Sequence, residues 1–417
     1  MDLKFKKNKE VPITNLKENF YLSSSAEDLK RSDFFYLPFL ESIVNTSSFS
    51  DDANGVNKVQ GNLGRKLFQL GFETQFIKNE EIVSGDLLHS FSGRGAINVT
   101  LVCHADTVFE ELHSSFSMSE DGEVLRGPGI LDDKSGIAII LEGLRLFKMI
   151  YPNHKIKINV LSSPNEEKGS VGFEEYLKEV GKKTHFALGF EPAPQDCSLI
   201  SKRSGNRWYK ITTKGKSGHS GRFDEAQLSS IHEIVHKVNK ILSLEDKKNL
   251  IKFNIGNISS PNRSFNVVSN EASFLLDFRF PNSEIRNRLH EKIVEIVNKS
   301  FTKCHMTGEQ TESSYTIYDD CPPLENTKKR SSLLYDLGFW WGASQNLSPE
   351  FCHSGGASDL NYLSNLENIS IDGLGAEGEG MHKKSEYVKF QSLISRSLRL
   401  MGLLEQIENN YGHLDCI

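Results

Sequence analysis

The 417-residue chain is poor in cysteine, contains no long apolar run and nowhere concentrates its basic residues. No stretch approaches the roughly 20 apolar residues that span a bilayer, so a membrane protein is not expected. The net charge is −6, and the lysines and arginines are scattered along the chain. Because nucleic-acid-binding domains present a concentrated basic face, no nucleic-acid partner is predicted.

Cysteine is both sparse and dispersed. The six cysteines form no CxxC pair and lie far apart, at Cys103, Cys197, Cys304, Cys321, Cys352 and Cys416. Isolated thiols are typical of a reduced, cytoplasmic protein, although an even number leaves disulfide bridges open as an alternative. The charged first twenty residues lack the apolar segment of a secretion signal, which favours the same location.

The length exceeds what one hydrophobic core usually supports, so two domains, or one large domain with an insertion, are expected. Residues 1–32 are polar and aperiodic and are predicted to form an N-terminal extension. From Asp33 onward, apolar residues recur at helical spacing in two segments, and Gly71 supplies the stop of the second helix.

Short apolar strands alternate with helices in the next part of the chain. Strands are predicted at 97–106, 155–164 and 186–192, and a helix with one apolar face is predicted at 135–150. This βαβ alternation indicates an α/β fold in which helices cover a sheet.

The pattern changes after Gly205. Two helices, at 229–242 and 285–301, alternate with strands that look antiparallel, such as 272–281. This predicts a small α+β domain inserted at 205–318, between a first catalytic segment at 33–204 and a second at 319–417.

Acidic residues and histidines follow the apolar strands. His104 and Asp106 end the first strand, where residues two apart point to the same side. Asp132 lies between a Gly-Pro-Gly turn and a helix, where Asp is also a common N-cap, so both interpretations stay open. The glycines let the backbone pass close to a bound group.

Three further groups complete this set. Glu166 and Glu167 follow the second strand, Glu191 ends the third, and His382 lies in a glycine-rich loop. On an extended segment the two adjacent glutamates diverge, so one can bind a metal while the other addresses substrate and water. A solvated acidic pair that opens the next helix is the alternative.

Several such groups at one edge of a sheet point to metal ions. Open α/β sheets bind ligands at the ends of their strands, and clustered carboxylates repel one another without cations. Asp132, Glu167 and Glu191 contribute about −3, against +4 for two zinc ions, and a bridging hydroxide leaves the site near neutral. Mixed histidine and carboxylate ligands suit zinc, with Mn²⁺ or Co²⁺ as substitutes.

Six motifs in this order resemble the glutamate carboxypeptidase and aminoacylase family of di-zinc hydrolases: VCHADTVF, GPGILDDKSG, NEEKGSVGF, FEP, GKSGHSG and GLGAEGEGMH. The resemblance covers about residues 33–405. It implies a mixed-sheet catalytic domain of zinc-exopeptidase type with an inserted α+β dimerisation (lid) domain, and two Zn²⁺ per chain.

The resemblance also implies roles for the metal-binding residues. One ion would be held by His104, Asp132 and Glu191, and the other by Asp132, Glu167 and His382, with Asp132 bridging. Glu166 would be the general base. Asp106 would hold the far nitrogen of His104.

Substrate-binding roles follow in the same way. His219 resembles a histidine that reaches the active site of the partner subunit of a homodimer, with a structural histidine in a turn as the alternative. Asn266 and Arg279 match substrate-holding positions, but Asp277 lies on the same strand face as Arg279, so a structural salt bridge is an alternative. Gly356, in SGGASD, would lie in a loop that receives a substrate carboxylate, or simply precede a helix.

Two departures from the family pattern affect these expectations. Asn165 stands where many members have an acid, and the segment between Glu191 and Arg203 matches poorly. The closest function implied is a carboxypeptidase acting on a small peptide or an N-acyl amino acid. The alternatives are an acetyl or succinyl deacylase with the same chemistry, and an inactive metal-binding module of the same fold.

Overall fold

The computed structural model describes residues 34–79, 84–196, 198–326, 330–342 and 349–413. The N-terminal extension predicted at 1–32 lies outside the described residues.

The order of helices and strands follows the predicted alternation closely. The helices are α1 (Leu37–Val44), α2 (Ala53–Gln69), α3 (Ser135–Ile150), α4 (Glu174–Gly181), α5 (Ser230–Leu242), α6 (Ser283–Asn298), α7 (Ser331–Gly342), α8 (Leu360–Leu363) and α9 (Phe390–Tyr411). The strands are β1 (Glu73–Ile77), β2 (Leu87–Ser92), β3 (Asn98–His104), β4 (Ser117–Met118), β5 (Val124–Arg126), β6 (Lys157–Ser163), β7 (Phe186–Gly189), β8 (Leu199–Arg203), β9 (Gly205–Lys214), β10 (Gly218–His219), β11 (Lys252–Ser259), β12 (Val267–Val268), β13 (Glu271–Phe280), β14 (Glu312–Cys321), β15 (Phe351–Ser354), β16 (Ile369–Ile371), β17 (Gly378–Glu379) and β18 (Tyr387–Lys389).

A six-stranded mixed sheet forms the centre of the larger domain, in the order β1-β2-β6-β3-β7-β16. The strands β6, β3, β7 and β16 are parallel, and β1 and β2 form an antiparallel edge. The parallel strands are buried because helices such as α3 and α9 cover the sheet. Their carboxyl ends therefore meet at one edge, as predicted.

The helix α3 spans the predicted residues 135–150, and its first ten residues are all buried. Gly143 lets α9 approach it closely, because a Cβ at this position would lie 2.7 Å from Leu400 Cδ2. The predicted helix stop at Gly71 is confirmed, since this residue has a left-handed φ of 78°.

A second, four-stranded antiparallel sheet has the order β11-β13-β9-β14. One face carries Tyr209, Ile211, Phe274 and Phe278, which form a separate core with apolar residues of α5 and α6. The mixed sheet together with this α+β unit confirms the predicted fold class. The exact limits 205–318 remain a prediction, and β14 runs on to Cys321.

A further four-stranded sheet, β17-β18-β5-β4, was not predicted from the sequence. Its strands have only two or three residues each, too few for a periodic pattern. The sheet fixes both ends of the loop 380–386, which carries His382.

Among the described residues, no helix is long and apolar enough to cross a membrane. The four cysteines that the structure describes, Cys103, Cys304, Cys321 and Cys352, are free.

Candidate metal centre

The strand ends bring the predicted ligands to one edge of the central sheet. His104 is the last residue of β3, and Glu191 follows two residues after the end of β7. Glu166 and Glu167 follow β6, but they lie in a single 3-10 turn, Glu166–Lys168, and not on the extended segment that was expected. The turn still separates the two side chains, because successive residues of a 3-10 helix point about 120° apart.

Asp132 belongs to an irregular segment, Ile130–Lys134, immediately before α3. The N-cap interpretation of this aspartate is wrong, because Lys134 is the N-cap residue of α3 and no side chain caps the helix. Gly129 has a left-handed φ of 68°, and a Cβ there would lie 2.2 Å from Thr107 Cγ2. The glycine-rich approach is therefore needed to place Asp132.

The ligand atoms form two groups of three that share Asp132. In the first group, of His104, Asp132 and Glu191, all three atoms lie within 4.8 Å of one another. The second group, of Asp132, Glu167 and His382, meets the same limit. These are the two sets that the family resemblance implied.

The two carboxylate oxygens of Asp132 face different groups. Its Oδ1 lies 2.9 Å from His104 Nε2, and its Oδ2 lies 3.0 Å from His382 Nε2. His382 Nε2 is also 3.1 Å from Glu167 Oε2, and His104 Nε2 is 3.9 Å from Glu191 Oε1. One aspartate can therefore serve two cations at once.

The charges at this edge call for cations. Burial and the charge of Asp132 raise the pKa of Glu191 to about 8, and the same two effects raise the pKa of Glu167. Hydrogen bonding to Asp132 and then to Glu167 raises the pKa of His382 to about 10. Glu167 Oε1 is buried and has no hydrogen-bond partner. Two divalent ions would remove this repulsion and supply the missing partner, so the residues fit two divalent metal ions.

The two histidines differ greatly in accessibility. The side chain of His104 is 1% exposed, whereas that of His382 is 48% exposed. His382 also has a left-handed backbone, with φ of 62°. The second group is therefore open on one side, at the loop between β17 and β18.

Asp106 makes more contacts than the sequence predicted. Its Oδ1 lies 3.3 Å from His104 Nδ1, and its backbone carbonyl oxygen lies 3.1 Å from the same nitrogen, which leaves Nε2 free to bind a metal. Its two oxygens also accept hydrogen bonds from the backbone amides of Glu166, at 3.0 Å, and Glu167, at 3.3 Å, and from Ser50 Oγ at 2.6 Å. One carboxylate thus orients both a histidine ligand and the turn that carries the two glutamates.

Glu386 is a positioning residue that sequence reasoning missed. Its carboxylate accepts hydrogen bonds from the backbone amides of Gly129, Leu131 and Asp132, at 3.2, 2.6 and 3.1 Å. Glu386 lies in the same loop as His382, and this proximity is the only signal in the sequence that could have found it. It fastens the loop that carries His382 to the segment that carries Asp132.

Four of the five predicted metal ligands, Asp132, Glu167, Glu191 and His382, line a cleft of about 680 Å³. Glu166 lines it too, and burial, followed by the charge of Glu191, raises the pKa of its carboxyl well above the ordinary value. Arg203, Asn206 and Trp208 line the same cleft. An acid with a raised pKa beside the metal ligands is suited to proton transfer.

Arg279 and Gly356 also line the cleft, and both are already engaged. Arg279 Nε lies 3.0 Å from Asp277 Oδ2, so the predicted alternative, a salt bridge, is present at a cleft-lining residue. The Gly356 amide donates to Ser354 Oγ at 3.3 Å, and its carbonyl accepts from Arg203 at 3.0 Å. The helix α8 begins just beyond this loop.

His219 and Asn266 lie together, but not in the cleft. His219 ends β10, which pairs antiparallel with β12, and Asn266 immediately precedes β12. Asn266 Nδ2 lies 3.5 Å from His219 Nε2. His219 is exposed on the small domain, and neither residue is among the described residues that line the cleft. Within one chain, the structure does not bring these two residues to the metal centre.

Asn165, the first departure from the family pattern, is a buried residue of the turn. Its Nδ2 donates to the carbonyl of Val171 at 3.0 Å.

The sequence and the fold of the chain are similar to those of known peptidases. A family model described as a peptidase dimerisation domain matches residues 201–303, which include most of the second sheet and both of its helices. Another, described as peptidase family M28, matches residues 87–239.

The chain is 28% identical over 368 residues to carboxypeptidase G2 of Pseudomonas sp. (strain RS-16), which covers 86% of this chain and 85% of that one. It is 25% identical over 374 residues to a succinyl-diaminopimelate desuccinylase of Ruthia magnifica subsp. Calyptogena magnifica, and the match covers 86% of this chain and 95% of the desuccinylase. Its fold resembles that of an M20 family metallo-carboxypeptidase from Sulfolobus solfataricus, with a TM-score of 0.67 and 14% sequence identity. The superposition covers 90% of this chain and 99% of that one. The motifs, the fold and these relatives agree: the chain resembles the M20 family of metallopeptidases, within the range of glutamate carboxypeptidases and aminoacylases.

Proposed function

We propose that the chain is a zinc-dependent hydrolase that cleaves the amide bond of a small peptide or an N-acylated amino acid, as a carboxypeptidase. The observation that carries this proposal is Asp132, whose two oxygens face two separate groups of metal-binding atoms at the edge of a cleft. The similarity to carboxypeptidase G2 supports the reaction class.

The proposed chemistry divides between the metal ligands and one free acid. His104, Asp132 and Glu191 would hold one ion, and Asp132, Glu167 and His382 the other. When bound, two zinc ions lower the pKa of a shared water molecule and polarise the carbonyl of the substrate. Glu166, which is not a ligand, accepts a proton from the attacking water and returns it to the leaving amine.

Other residues would hold the substrate. Arg279 and Gly356 line the cleft and would contact the substrate directly, with the Asp277 carboxylate holding Arg279 in place. His219 and Asn266 lie outside the cleft of their own chain, which supports a homodimer in which His219 of the partner subunit completes the site. There it would stabilise the oxyanion.

A deacylase is the second candidate. A desuccinylase covers as much of this chain as the carboxypeptidase does, and the same residues would perform both reactions. The third candidate, an inactive metal-binding module, is weakened by Glu166, because a purely structural metal site gains nothing from a half-buried carboxyl that binds no metal. The predicted cytoplasmic location also stays a proposal, supported by the four free cysteines.

The proposal is tested by assaying the zinc-loaded protein on two sets of substrates. One set contains dipeptides with a C-terminal Glu, Asp, Ala or Leu, and the other contains the N-acetyl and N-succinyl derivatives of the same four amino acids. We expect cleavage of at least one class, and a loss of about 10²–10⁴-fold in turnover for Glu166→Gln with both metals retained. A loss below tenfold would remove Glu166 from the role of general base. Cleavage of the N-succinyl compounds alone would favour the deacylase.

A further inference from the structure

A buried carboxylate of the small-domain sheet, Asp319, contacts the turn that carries the two glutamates. It lies two residues before the end of β14. The pairing of β14 with β9 is irregular between Ile317 and Asp319, and such bulges re-aim the side chains of a strand. A Cβ on Gly169 would lie 3.4 Å from Asp319 Cγ, so the carboxylate packs directly against the residue that ends the Glu166–Lys168 turn.

Hydrogen bonds connect this carboxylate to both domains. Asn206 Nδ2, at the start of β9, donates to Asp319 Oδ2. On the other side, the hydroxyl of Tyr362 lies 3.3 Å from Asp319 Oδ1 and 3.2 Å from the carbonyl oxygen of Gly169. Tyr362 belongs to α8 of the larger domain, and it is buried. The contacts therefore run from the small-domain sheet, through Tyr362, to the Glu166–Lys168 turn.

The hydroxyl of Tyr362 has one hydrogen and two acceptors within reach. Burial raises the pKa of this phenol far above its ordinary value, so the hydrogen stays in place. When Asp319 is ionised, it attracts this hydrogen more strongly than a neutral carbonyl does, and Gly169 loses the bond. When Asp319 is protonated, its own hydroxyl donates to Tyr362, which then donates to Gly169. The proton on Asp319 therefore decides whether Tyr362 holds the turn.

The carboxyl of Asp319 changes its protonation close to neutral pH. Burial is the largest effect and, against the two hydrogen bonds that it accepts, brings the pKa of this carboxyl to about 6. The charge of Glu174, at the start of α4, also raises this pKa, whereas the charge of Arg279, on β13, lowers it. Cys321, two residues further along β14, stays neutral because burial raises the pKa of its thiol. Both forms of Asp319 are therefore populated between about pH 5 and about pH 7.

We propose that Asp319 and Tyr362 are positioning residues that hold the Glu166–Lys168 turn through the carbonyl of Gly169, and that the hold is released when Asp319 loses its proton. Both residues line the cleft, but they act through the backbone of the turn and need not touch the reacting atoms. The inference rests on the proposed function in one respect, because it assumes that the two glutamates of this turn act as general base and metal ligand.

Hydrogen exchange in the full-length protein, with excess zinc present, tests these contacts, because the amides of Lys168, Gly169 and Ser170 donate within the turn. Asp319→Asn is the informative variant, because its amide group donates to Tyr362 as a protonated acid does but has no proton to lose. At about pH 5 the two proteins should exchange these amides at nearly the same rate. At about pH 8 the unmodified protein should exchange them about two- to tenfold faster than the variant, which is the effect of one hydrogen bond. Comparison at equal pH cancels the intrinsic dependence of exchange on pH.

Two further variants complete the experiment. Tyr362→Phe should exchange the same amides fast at both pH values, because no hydroxyl remains to bind Gly169. Asp320→Asn is the matched control, since Asp320 is the next residue of β14 but forms ion pairs with Arg207 and Arg286. It removes one carboxylate from the same strand and should exchange these amides as the unmodified protein does at both pH values.

Equal exchange in the unmodified and Asp319→Asn proteins at about pH 8 would overturn the inference. A Tyr362→Phe protein that exchanges these amides as slowly at about pH 5 as the unmodified protein would also overturn it. Turnover of the dipeptides and N-acyl amino acids by the unmodified protein separates the two proposals. If the exchange difference is present but no substrate is cleaved, the positioning role stands and the hydrolase proposal fails. If a substrate is cleaved and the exchange difference is missing, only the positioning role fails.

Discussion

Substituting Asp106 with asparagine should weaken zinc binding without touching a ligand. Asp106 is completely buried, and its oxygens face four donors: His104 Nδ1, Ser50 Oγ and the amides of Glu166 and Glu167. An asparagine has only one acceptor oxygen. Its amino group can face Ser50, whose hydroxyl can turn to accept, but this leaves the Glu167 amide without a partner.

The cost can be estimated from that geometry. A buried N–H that loses its acceptor costs about 1–3 kcal/mol, and the bonds that remain lose the charge of the acceptor. The zinc-loaded protein should therefore unfold at a temperature a few degrees lower. Partners that orient metal ligands typically contribute about 10–100-fold to metal affinity, so we expect a loss of this size in a titration against a zinc chelator.

Asp51→Asn is the matched control. Asp51 lies on the surface, 54% exposed, where it forms an ion pair with Lys168 of the same turn. Its substitution should change stability by less than about 0.5 kcal/mol and leave zinc affinity unaltered. If Asp106→Asn bound zinc as tightly as the control, Asp106 would not be what orients His104 and the Glu166–Lys168 turn.

Further predictions concern the metals and the subunits. Metal analysis after mild dialysis should find two zinc ions per chain, and His382→Ala should retain one of them. A single ion in the unmodified protein that survives His382→Ala and vanishes in His104→Ala would contradict the shared arrangement. Glu167→Gln should lower metal occupancy, unlike Glu166→Gln, because only Glu167 is assigned as a ligand. The His219→Ala and Glu166→Ala proteins should each be nearly inactive alone. When the two are unfolded and refolded together, about half of the dimers should contain one subunit of each kind, and in these dimers one of the two sites has both Glu166 and His219. The mixture should therefore recover roughly a quarter of wild-type activity. Mixed dimers that stay as inactive as their parents would exclude His219 from the partner's site.

The parts of the fold that are visible in the sequence are those with strong local patterns. The helix α3 and the strands β3, β6 and β7 are long or rich in apolar residues, so α3 was predicted at its observed limits and each strand to within three residues at either end. The short strands β17 and β18 could not, because two or three residues show no periodicity, although they hold the loop of His382.

Contacts between distant parts of the chain were equally hidden. The hydrogen bond from the Asp132 amide to the Glu386 carboxylate joins residues about 250 positions apart. Neither residue stands in a local sequence pattern that predicts this contact. Arg279 illustrates a different difficulty of prediction from sequence. Substrate binding and a structural salt bridge to Asp277 were treated as mutually exclusive roles for this residue. In the structure the salt bridge to Asp277 and the place in the cleft occur together.

The ligands of the two groups are unevenly distributed along the gene. His104, Asp132 and Glu191 all precede the small domain, whereas His382 follows it. A protein truncated within the small domain would still contain all three residues of the first group, and it would lack only His382 of the second group. It would also lose the strand β16 at the edge of the central sheet and the helix α9 that packs on α3. A nonsense mutation within the small domain therefore removes one predicted metal ligand together with much of the support of the sheet, and leaves the other four predicted ligands on an incomplete core.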